Sequence, residues 1–353
     1  MPVRGRLGSY DAIQAMLAAH PPRLAFDGST PADYQAWRAQ FHDAYRRCLG
    51  PWPTPVEPNL EVVEERDFPA FTATRLHFDS APGVAVSAYL LVPKGIAPGE
   101  KRPGILAAHG HGDGRHNDGK DDLLGLDGGD PDRAASIRRQ NLDYAKQAAE
   151  RGYVVIVPDW LPFGERKAPK EWVGGRDRCN VVGMGWAYLG YTMLGQNIWD
   201  GMRALDILAT RPEVDAERLG VIGLSYGGTM TLHLAANDPR LKVAVMSGYL
   251  STVRGDAITK RGGGNFCLGQ HVPELLLYGD IPDMAGLIAP KPLLIEAGQK
   301  DTCFIIEDAR AAYRQLERIY RAGGHADRLA YDEHPYEHRW HGVLAWDWLE
   351  RWL

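Results

Sequence analysis

The chain has 353 residues, of which 44% are hydrophobic and 24% are charged, an ordinary composition for a globular protein. Its formal net charge of −5 gives no reason to expect nucleic acid or an anionic membrane as a partner. No run of about 18 apolar residues occurs, and the first residues lack the apolar stretch of a signal peptide, so we expect a cytoplasmic protein without a membrane span. The four cysteines lie far apart and form no C-x-x-C pair, which argues against a metal knuckle or a redox pair.

Residues 9–50 are predicted to form two helices, the second beginning near Pro31 with Thr30 as its cap. Aromatic residues recur in that second helix at helical spacing and predict a packing stripe. They are Tyr34, Trp37, Phe41 and Tyr45. A proline-rich connector follows, so we assign residues 1–60 to an N-terminal helical extension and residues 61–353 to the main domain.

The main domain opens with two strand-like runs, FTATRLHF and AVSAYLLVP, which predict an antiparallel hairpin. From residue 103 onwards, short runs rich in β-branched residues alternate with helical stretches. The longer helices are expected from about Arg133 to Arg151 and from about Trp186 to Thr210. This alternation is typical of an α/β protein with a mostly parallel central sheet and helices on both faces.

The stretch VIGLSYGG, residues 221–228, takes a predicted strand directly into a predicted helix. Gly223 and Gly227 flank Ser225 in a G-x-S-x-G pattern, in which small residues let the backbone turn tightly and project the central side chain. Because the site of an open α/β sheet forms beyond the carboxyl ends of its strands, Ser225 is the candidate nucleophile.

A serine nucleophile needs a base and an acid that orients the base, and in this architecture they follow in the order acid, then histidine. Asp301 lies just after the strand LLIEAG and is the candidate acid. His338 follows the last predicted strand and is the candidate base, with His341 as the alternative. Asp280 and Asp283 precede the strand of the acid and fit a turn or a helix cap better.

The loop after the early strand GILAA reads HGHGDG, and its glycines allow the backbone to approach a substrate oxygen. An oxyanion hole is expected from the backbone N–H groups of Tyr226 and His111, with Gly112 as the alternative to His111. The side chain of His109 is interpreted as a hydrogen-bonded anchor of the loop.

The same loop contains four potential metal ligands, namely His109, His111, Asp113 and His116. Its glycine-rich spacing suits a flexible backbone loop better than a rigid cage of ligands, and no H-E-x-x-H helix accompanies it. We therefore expect neither a metal nor another cofactor.

Several aromatic residues lie where they could form the wall of a substrate pocket. The candidates are Trp160, Trp186, Phe266 and Trp340. For Trp186, packing against the sheet is an equally good interpretation. Together these side chains favour a compact apolar site for the acyl group.

With these motifs in this order, residues 70–353 resemble the α/β-hydrolase superfamily, in its dienelactone-hydrolase-like and acetyl-xylan-esterase-like branch. The matching stretches include HGHGDG, PDWLPFGER, the segment from Gly195 to Gly228, DIPDMAGLIAPKPLLIEAGQKD and HRWHG. The resemblance implies serine-dependent hydrolysis of carboxylic esters without a cofactor, with Ser225, Asp301 and His338 as the triad. Dienelactone hydrolases proper use a cysteine nucleophile, so the serine favours an esterase.

We therefore expect an α/β-hydrolase that cleaves short-acyl or acetyl esters through an acyl-enzyme, with a small-molecule ester as its partner. A peptidase or amidase of the same fold, and a non-catalytic binding protein of that fold, remain the alternatives. The sequence leaves the oligomeric state open, including a homo-oligomer.

Overall fold

The computed structural model describes residues 8–112, 119–261 and 265–353. Asp113 and His116, considered above as metal ligands, lie outside these residues. The described strands are β1 (Glu61–Asp67), β2 (Phe71–Ala81), β3 (Val84–Pro93), β4 (Arg102–Ala108), β5 (Val154–Pro158), β6 (Val214–Leu224), β7 (Leu241–Ser247), β8 (Leu293–Gly298) and β9 (Leu329–His334).

The described α-helices are α1 (Ser9–Ala19), α2 (Pro31–Cys48), α3 (Pro131–Gln140), α4 (Tyr144–Glu150), α5 (Lys170–Val173), α6 (Arg178–Tyr188), α7 (Met193–Ala209), α8 (Tyr226–Asn237), α9 (Leu275–Tyr278), α10 (Ile281–Gly286), α11 (Ile306–Ala322) and α12 (Ala345–Trp352). None of these combines the length and the apolar character that a bilayer crossing needs.

The strands form one sheet in the order β1-β2-β3-β5-β4-β6-β7-β8-β9. The first three strands pair antiparallel, as does β3 with β5. All pairs from β5 across to β9 are parallel. The predicted hairpin and mostly parallel sheet are therefore confirmed. Because parallel strands end at the same edge, the segments after β4, β6, β7, β8 and β9 meet there.

Apolar side chains form a core on each face of the sheet. The larger core lies beneath α2, α7, α8, α10 and α11. The other core lies beneath α3, α4 and α12. Since helices cover both faces, every residue of β5 and of β8 is buried. This burial accounts for their largely apolar sequences.

Helix α2 packs against the sheet-forming part of the chain along its aromatic stripe. Thr30 caps the helix, as expected from the sequence, and the four stripe residues are buried. The Tyr34 hydroxyl donates to the carbonyl oxygen of Ala289 at 2.7 Å, and the Tyr45 hydroxyl lies 2.6 Å from Nδ1 of His233. The division of the chain at residue 60 remains a prediction.

Three parts of the chain differ from the sequence-based expectation, one by an additional strand and two by a break within a predicted helix. Strand β1 was not predicted, because its residues are mostly charged and, at the sheet edge, largely exposed. The expected helix from Arg133 to Arg151 is two helices, which separate where Asn141 adopts φ 55°. The expected helix from Trp186 to Thr210 is also two, separated at Gly190 with φ 80°, after which Thr192 caps α7.

Replacement of Tyr45 by Phe tests how firmly α2 is held. Burial lowers the pKa of His233 to about 3, so its ring is neutral. Because Asn237 donates to the Tyr45 hydroxyl oxygen, the hydroxyl hydrogen is donated to Nδ1 of His233. The substitution leaves this buried acceptor without its partner, and we expect the free energy of unfolding to fall by about 1–3 kcal/mol in chemical denaturation. Tyr188→Phe is the matched control, because that side chain is exposed. Equal stability of the two variants would contradict the packing described here.

Candidate active site

Ser225 occupies the turn between β6 and α8. Its backbone has φ 63° and ψ −122°, a conformation that costs a residue other than glycine about 1–3 kcal/mol. The Ser225 N–H donates to the carbonyl oxygen of Ser247 at 3.0 Å, which ties the turn to β7. The side chain is 8% exposed and lines a cavity. The strained turn therefore holds one hydroxyl at the edge of the sheet.

Glycines around this turn are required by close backbone contacts. A Cβ at Gly227 would lie 1.9 Å from the carbonyl oxygen of Ala108, and a Cβ at Gly223 would lie 2.3 Å from the carbonyl oxygen of Gly227. Gly110, in the loop after β4, is also closely packed, because a Cβ there would be 2.9 Å from the carbonyl oxygen of Leu224 and 3.1 Å from the Cβ of Ser225. The turn and this loop are therefore packed directly against one another.

Asp301 and His338, the candidate acid and base, are joined by a hydrogen bond. Nδ1 of His338 lies 2.7 Å from Oδ2 of Asp301. The other carboxylate oxygen accepts the backbone N–H groups of Cys303 at 2.7 Å and Phe304 at 3.1 Å. Nε2 of His338 is buried and has no hydrogen-bond partner among the described residues, and His338 lines the same cavity as Ser225. The structure thus brings together the three residues that were selected from sequence.

His341, the alternative base, is engaged elsewhere. Its Nδ1 lies 2.7 Å from Oδ2 of Asp332. Its backbone N–H and that of Gly342 donate to the two carboxylate oxygens of Glu296, at 3.2 and 2.8 Å. Burial raises the pKa of Glu296 to about 7. His341 does not line the cavity of Ser225 in the described part of the chain, so the geometry favours His338.

The two aspartates that precede β8 cap a helix. Asp280 is the N-cap of α10, and Asp283 completes the capping box, so their interpretation as caps is confirmed. Burial lowers the pKa of His334, at the end of β9, to about 4. Glu296 lies within β8.

The expected oxyanion donors flank Ser225. Tyr226 is the first residue of α8, and the first N–H groups of a helix have no acceptor within it. The loop after β4 contributes His111, which lines the same cavity as Ser225. The rings of Phe163 and Tyr226 contact the His111 imidazole edge-on, with centroid distances of 5.1 and 5.2 Å.

The side chain of His109 holds the loop in place. Its Nδ1 lies 2.8 Å from the carbonyl oxygen of Gly110, and its Nε2 lies 3.1 Å from the backbone N–H of Trp160. Since Nε2 accepts, Nδ1 carries the proton and donates. Burial lowers the pKa of His109 to about 3, so the ring is neutral. These contacts agree with the anchoring role inferred from sequence.

The cavity that contains Ser225 and His338 has a volume of about 630 Å³. Phe266 and Cys267, in the segment after β7, line it. Arg139 and Gln140, at the end of α3, line it as well, although nothing in the sequence singled them out. Its wall is therefore mixed and contains polar side chains as well as the aromatic ring of Phe266.

Two of the four aromatic pocket candidates are wrong. Trp160 has no exposed surface, and its ring lies 6.1 Å from that of His109 in the larger core. Trp340 also has no exposed surface and stacks on Tyr144 at 4.8 Å in the other core. Trp186 packs edge-on against Tyr191 at 6.1 Å and, in the described part of the chain, does not line the cavity. Both buried tryptophans fill core volume and cannot contact a substrate.

Cys179 and Cys267 meet at the cavity wall, which their separation in the sequence did not indicate. Their sulfur atoms lie 3.6 and 3.4 Å from Nε2 of His111. A hydrogen bond between the two thiols raises the pKa of Cys179 and, with His111, holds the pKa of Cys267 well below its ordinary value. Only the fold places these two residues together.

The loop that carries His338 is also tied to α3. The backbone N–H of Trp340 donates to the carbonyl oxygen of Gln140 at 3.0 Å, and the side-chain amide of Asn141 donates to the carbonyl oxygen of Trp340 at 3.1 Å. These contacts could not be read from the sequence, because Asn141 was assigned to the interior of one long helix.

The parallel sheet, the serine turn after β6 and the acid and histidine after β8 and β9 together define an α/β-hydrolase. The model of the Abhydrolase_7 family, described as an Abhydrolase family, matches residues 4–342. The chain therefore belongs to this family, and the resemblance stated from the sequence is confirmed.

Comparison with individual proteins gives the same fold. The Bacillus subtilis protein "Putative hydrolase YtaP" is 28% identical over 297 residues, which cover 82% of this chain and 90% of that protein. A Bacteroides fragilis structure named "putative acetyl xylan esterase" has a TM-score of 0.77 at 20% identity, covering 93% of this chain and 82% of its own. An acetyl xylan esterase from Paenibacillus sp. R4 has a TM-score of 0.61 at 20% identity and covers both chains fully.

Replacement of Gly227 by Ala tests the packing of the serine turn. The added methyl group would meet the Ala108 carbonyl oxygen at 1.9 Å, and we expect the free energy of unfolding to fall by at least about 1–3 kcal/mol in urea denaturation. Gly185→Ala is the matched control, since a Cβ there meets nothing within 4 Å. A Gly227→Ala variant as stable as wild type would show that the turn is looser than described.

Proposed function

We propose that this protein is a serine carboxylic-ester hydrolase that acts on short-acyl or acetyl esters through an acyl-enzyme. The observation that carries the proposal is the 2.7 Å hydrogen bond between His338 and Asp301 at a cavity that also contains Ser225. A hydroxyl is a poor nucleophile unless a base takes its proton, and a base works best when a third group fixes its orientation.

In the first half of the reaction, Oγ of Ser225 attacks the ester carbonyl carbon while Nε2 of His338 takes the hydroxyl proton. Because Nδ1 of His338 donates to Asp301, Nε2 is the nitrogen left to accept this proton, and the carboxylate stabilises the imidazolium that forms. The backbone N–H groups of Tyr226 and His111 donate to the oxyanion, and the loss of one such donor typically costs about 2.7–4 kcal/mol in the transition state.

Collapse of the tetrahedral intermediate breaks the bond to the alcohol, and His338 returns its proton to the leaving oxygen. This leaves an acyl group on Ser225. Water then attacks the acyl-enzyme with His338 again as the base, and release of the carboxylic acid restores the serine hydroxyl. Every proton transferred in these steps passes through Nε2 of His338, so the reaction requires no metal and no other cofactor.

Two arguments favour a small ester as the substrate. The cavity beside Ser225 has a bounded volume of about 630 Å³ and contains the ring of Phe266, an apolar side chain against which a short acyl group can pack. The names of the relatives agree, since one is described as a hydrolase and two solved structures as acetyl xylan esterases. A cytoplasmic location and a small-molecule partner remain part of this proposal.

Replacement of Ser225 by Ala removes the attacking atom. We expect kcat for p-nitrophenyl acetate to fall about 10⁶-fold, the size found when the nucleophile of a serine triad is removed. Ser29→Ala, at an exposed position, is the matched control and should retain wild-type kcat. A Ser225→Ala variant within tenfold of wild type would refute the nucleophile assignment, and faster cleavage of a peptide amide than of the ester by wild type would favour a peptidase.

Paired substitutions distinguish the two histidines. His338→Ala should lower kcat by about the same factor as Ser225→Ala, because the two residues act as a unit. His341→Ala removes a contact to Asp332 and should lower the free energy of unfolding by about 1–3 kcal/mol, with a much smaller loss of kcat. Steady-state kinetics and denaturation of both variants check this expectation. The reverse ranking of the kcat values would assign the base to His341.

A further inference from the structure

Three side chains with metal-binding atoms converge beside the catalytic cavity. His111 follows β4, Cys179 lies in α6, and Cys267 lies in the segment after β7. Nε2 of His111 is 3.6 Å from the sulfur of Cys179 and 3.4 Å from the sulfur of Cys267. All three ligand atoms lie within 4.8 Å of one another. The proposed ester hydrolysis gives neither thiol a role.

The spacing of these atoms matches a tetrahedral zinc site. With a zinc–nitrogen distance of about 2.0–2.1 Å and a zinc–sulfur distance of about 2.3 Å, tetrahedral angles put the nitrogen and each sulfur about 3.6 Å apart. The two separations in the structure are within about 0.2 Å of this value. The imidazole nitrogen therefore already lies at the separation from each sulfur that a shared tetrahedral cation requires.

The chemistry of the donors also selects a class of metal. Two thiolates and one imidazole favour zinc and similar borderline or soft cations, whereas magnesium and calcium prefer oxygen ligands. Cys179 is buried, while His111 and Cys267 line the cavity. Three protein ligands leave the fourth tetrahedral position to water or to a molecule in the cavity.

We propose that His111, Cys179 and Cys267 form a binding site for a divalent cation of the zinc class, with its fourth coordination position open to the cavity of Ser225. Binding replaces the hydrogen on each protonated thiol by a metal–sulfur bond and releases that hydrogen as a proton. No electron is transferred, and the thiols need only remain reduced.

Cobalt(II) is the probe that tests this site, because it occupies tetrahedral zinc sites and reports thiolate ligands by absorption. Reduced, chelator-treated protein should bind one equivalent of Co²⁺, giving thiolate-to-cobalt charge-transfer absorption in the near ultraviolet and the strong visible bands of a tetrahedral complex. Added Zn²⁺ should then remove both signals. Release of protons during the zinc titration gives a second readout that is independent of colour.

Single substitutions locate the ligands. Cys179→Ser and Cys267→Ser should each weaken Co²⁺ binding at least tenfold and reduce the charge-transfer absorption, whereas Cys48→Ser, which removes a buried thiol outside the cluster, should change neither. Cys303→Ser is a further control, because Cys303 lies in a second group of potential ligands with Asp301 and His338. Denaturation of each variant confirms that it is folded.

The proposal is overturned if reduced wild-type protein binds no Co²⁺ with thiolate absorption. It is also overturned if binding survives unchanged in both Cys179→Ser and Cys267→Ser, or is lost in Cys303→Ser. Failure of the esterase proposal gives a separate result, since Ser225→Ala should retain the cobalt spectrum whether or not the wild-type protein cleaves esters.

Discussion

The hydrogen bond between His338 and Asp301 is the interaction on which the candidate site depends. It forms because β8 and β9 are neighbouring parallel strands and end at the same edge of the sheet. Asp301 follows β8 and His338 follows β9, so both lie at that edge. Two backbone N–H groups fix the carboxylate from the other side, so the imidazole has one preferred orientation. That orientation leaves Nε2 as the nitrogen that would take the serine proton in the proposed reaction.

A second acid–histidine pair includes His341, three residues after His338 in the same loop. Asp332 holds the His341 ring, and the buried carboxyl of Glu296 accepts the backbone N–H groups of His341 and Gly342. The two pairs use the same chemistry in different surroundings. Of their two histidines, His338 lines the cavity of Ser225, and His341 does not in the described part of the chain. Burial of Glu296 is costly for a carboxylate, as its raised pKa indicates, and its contacts fix the loop that carries the base.

The fold and the three central residues could be predicted because their signals are local or follow from strand order. The G-x-S-x-G turn requires glycines next to the serine, and Asp301 and His338 follow their strands directly. The pocket could not be predicted in the same way. Trp160 and Trp340 follow strands too, but whether a large ring fills the core or faces a cavity depends on neighbours distant in sequence. The meeting of Cys179 with Cys267 likewise appears only after folding.

Covalent labelling of the folded protein with a fluorophosphonate, followed by peptide mass spectrometry, tests the central claim most directly, because such a reagent modifies a serine only when a neighbouring base activates it. We expect one phosphonyl group per chain, located on Ser225 and absent when His338 is replaced by Ala. An unlabelled protein, or a label on another residue, would contradict it.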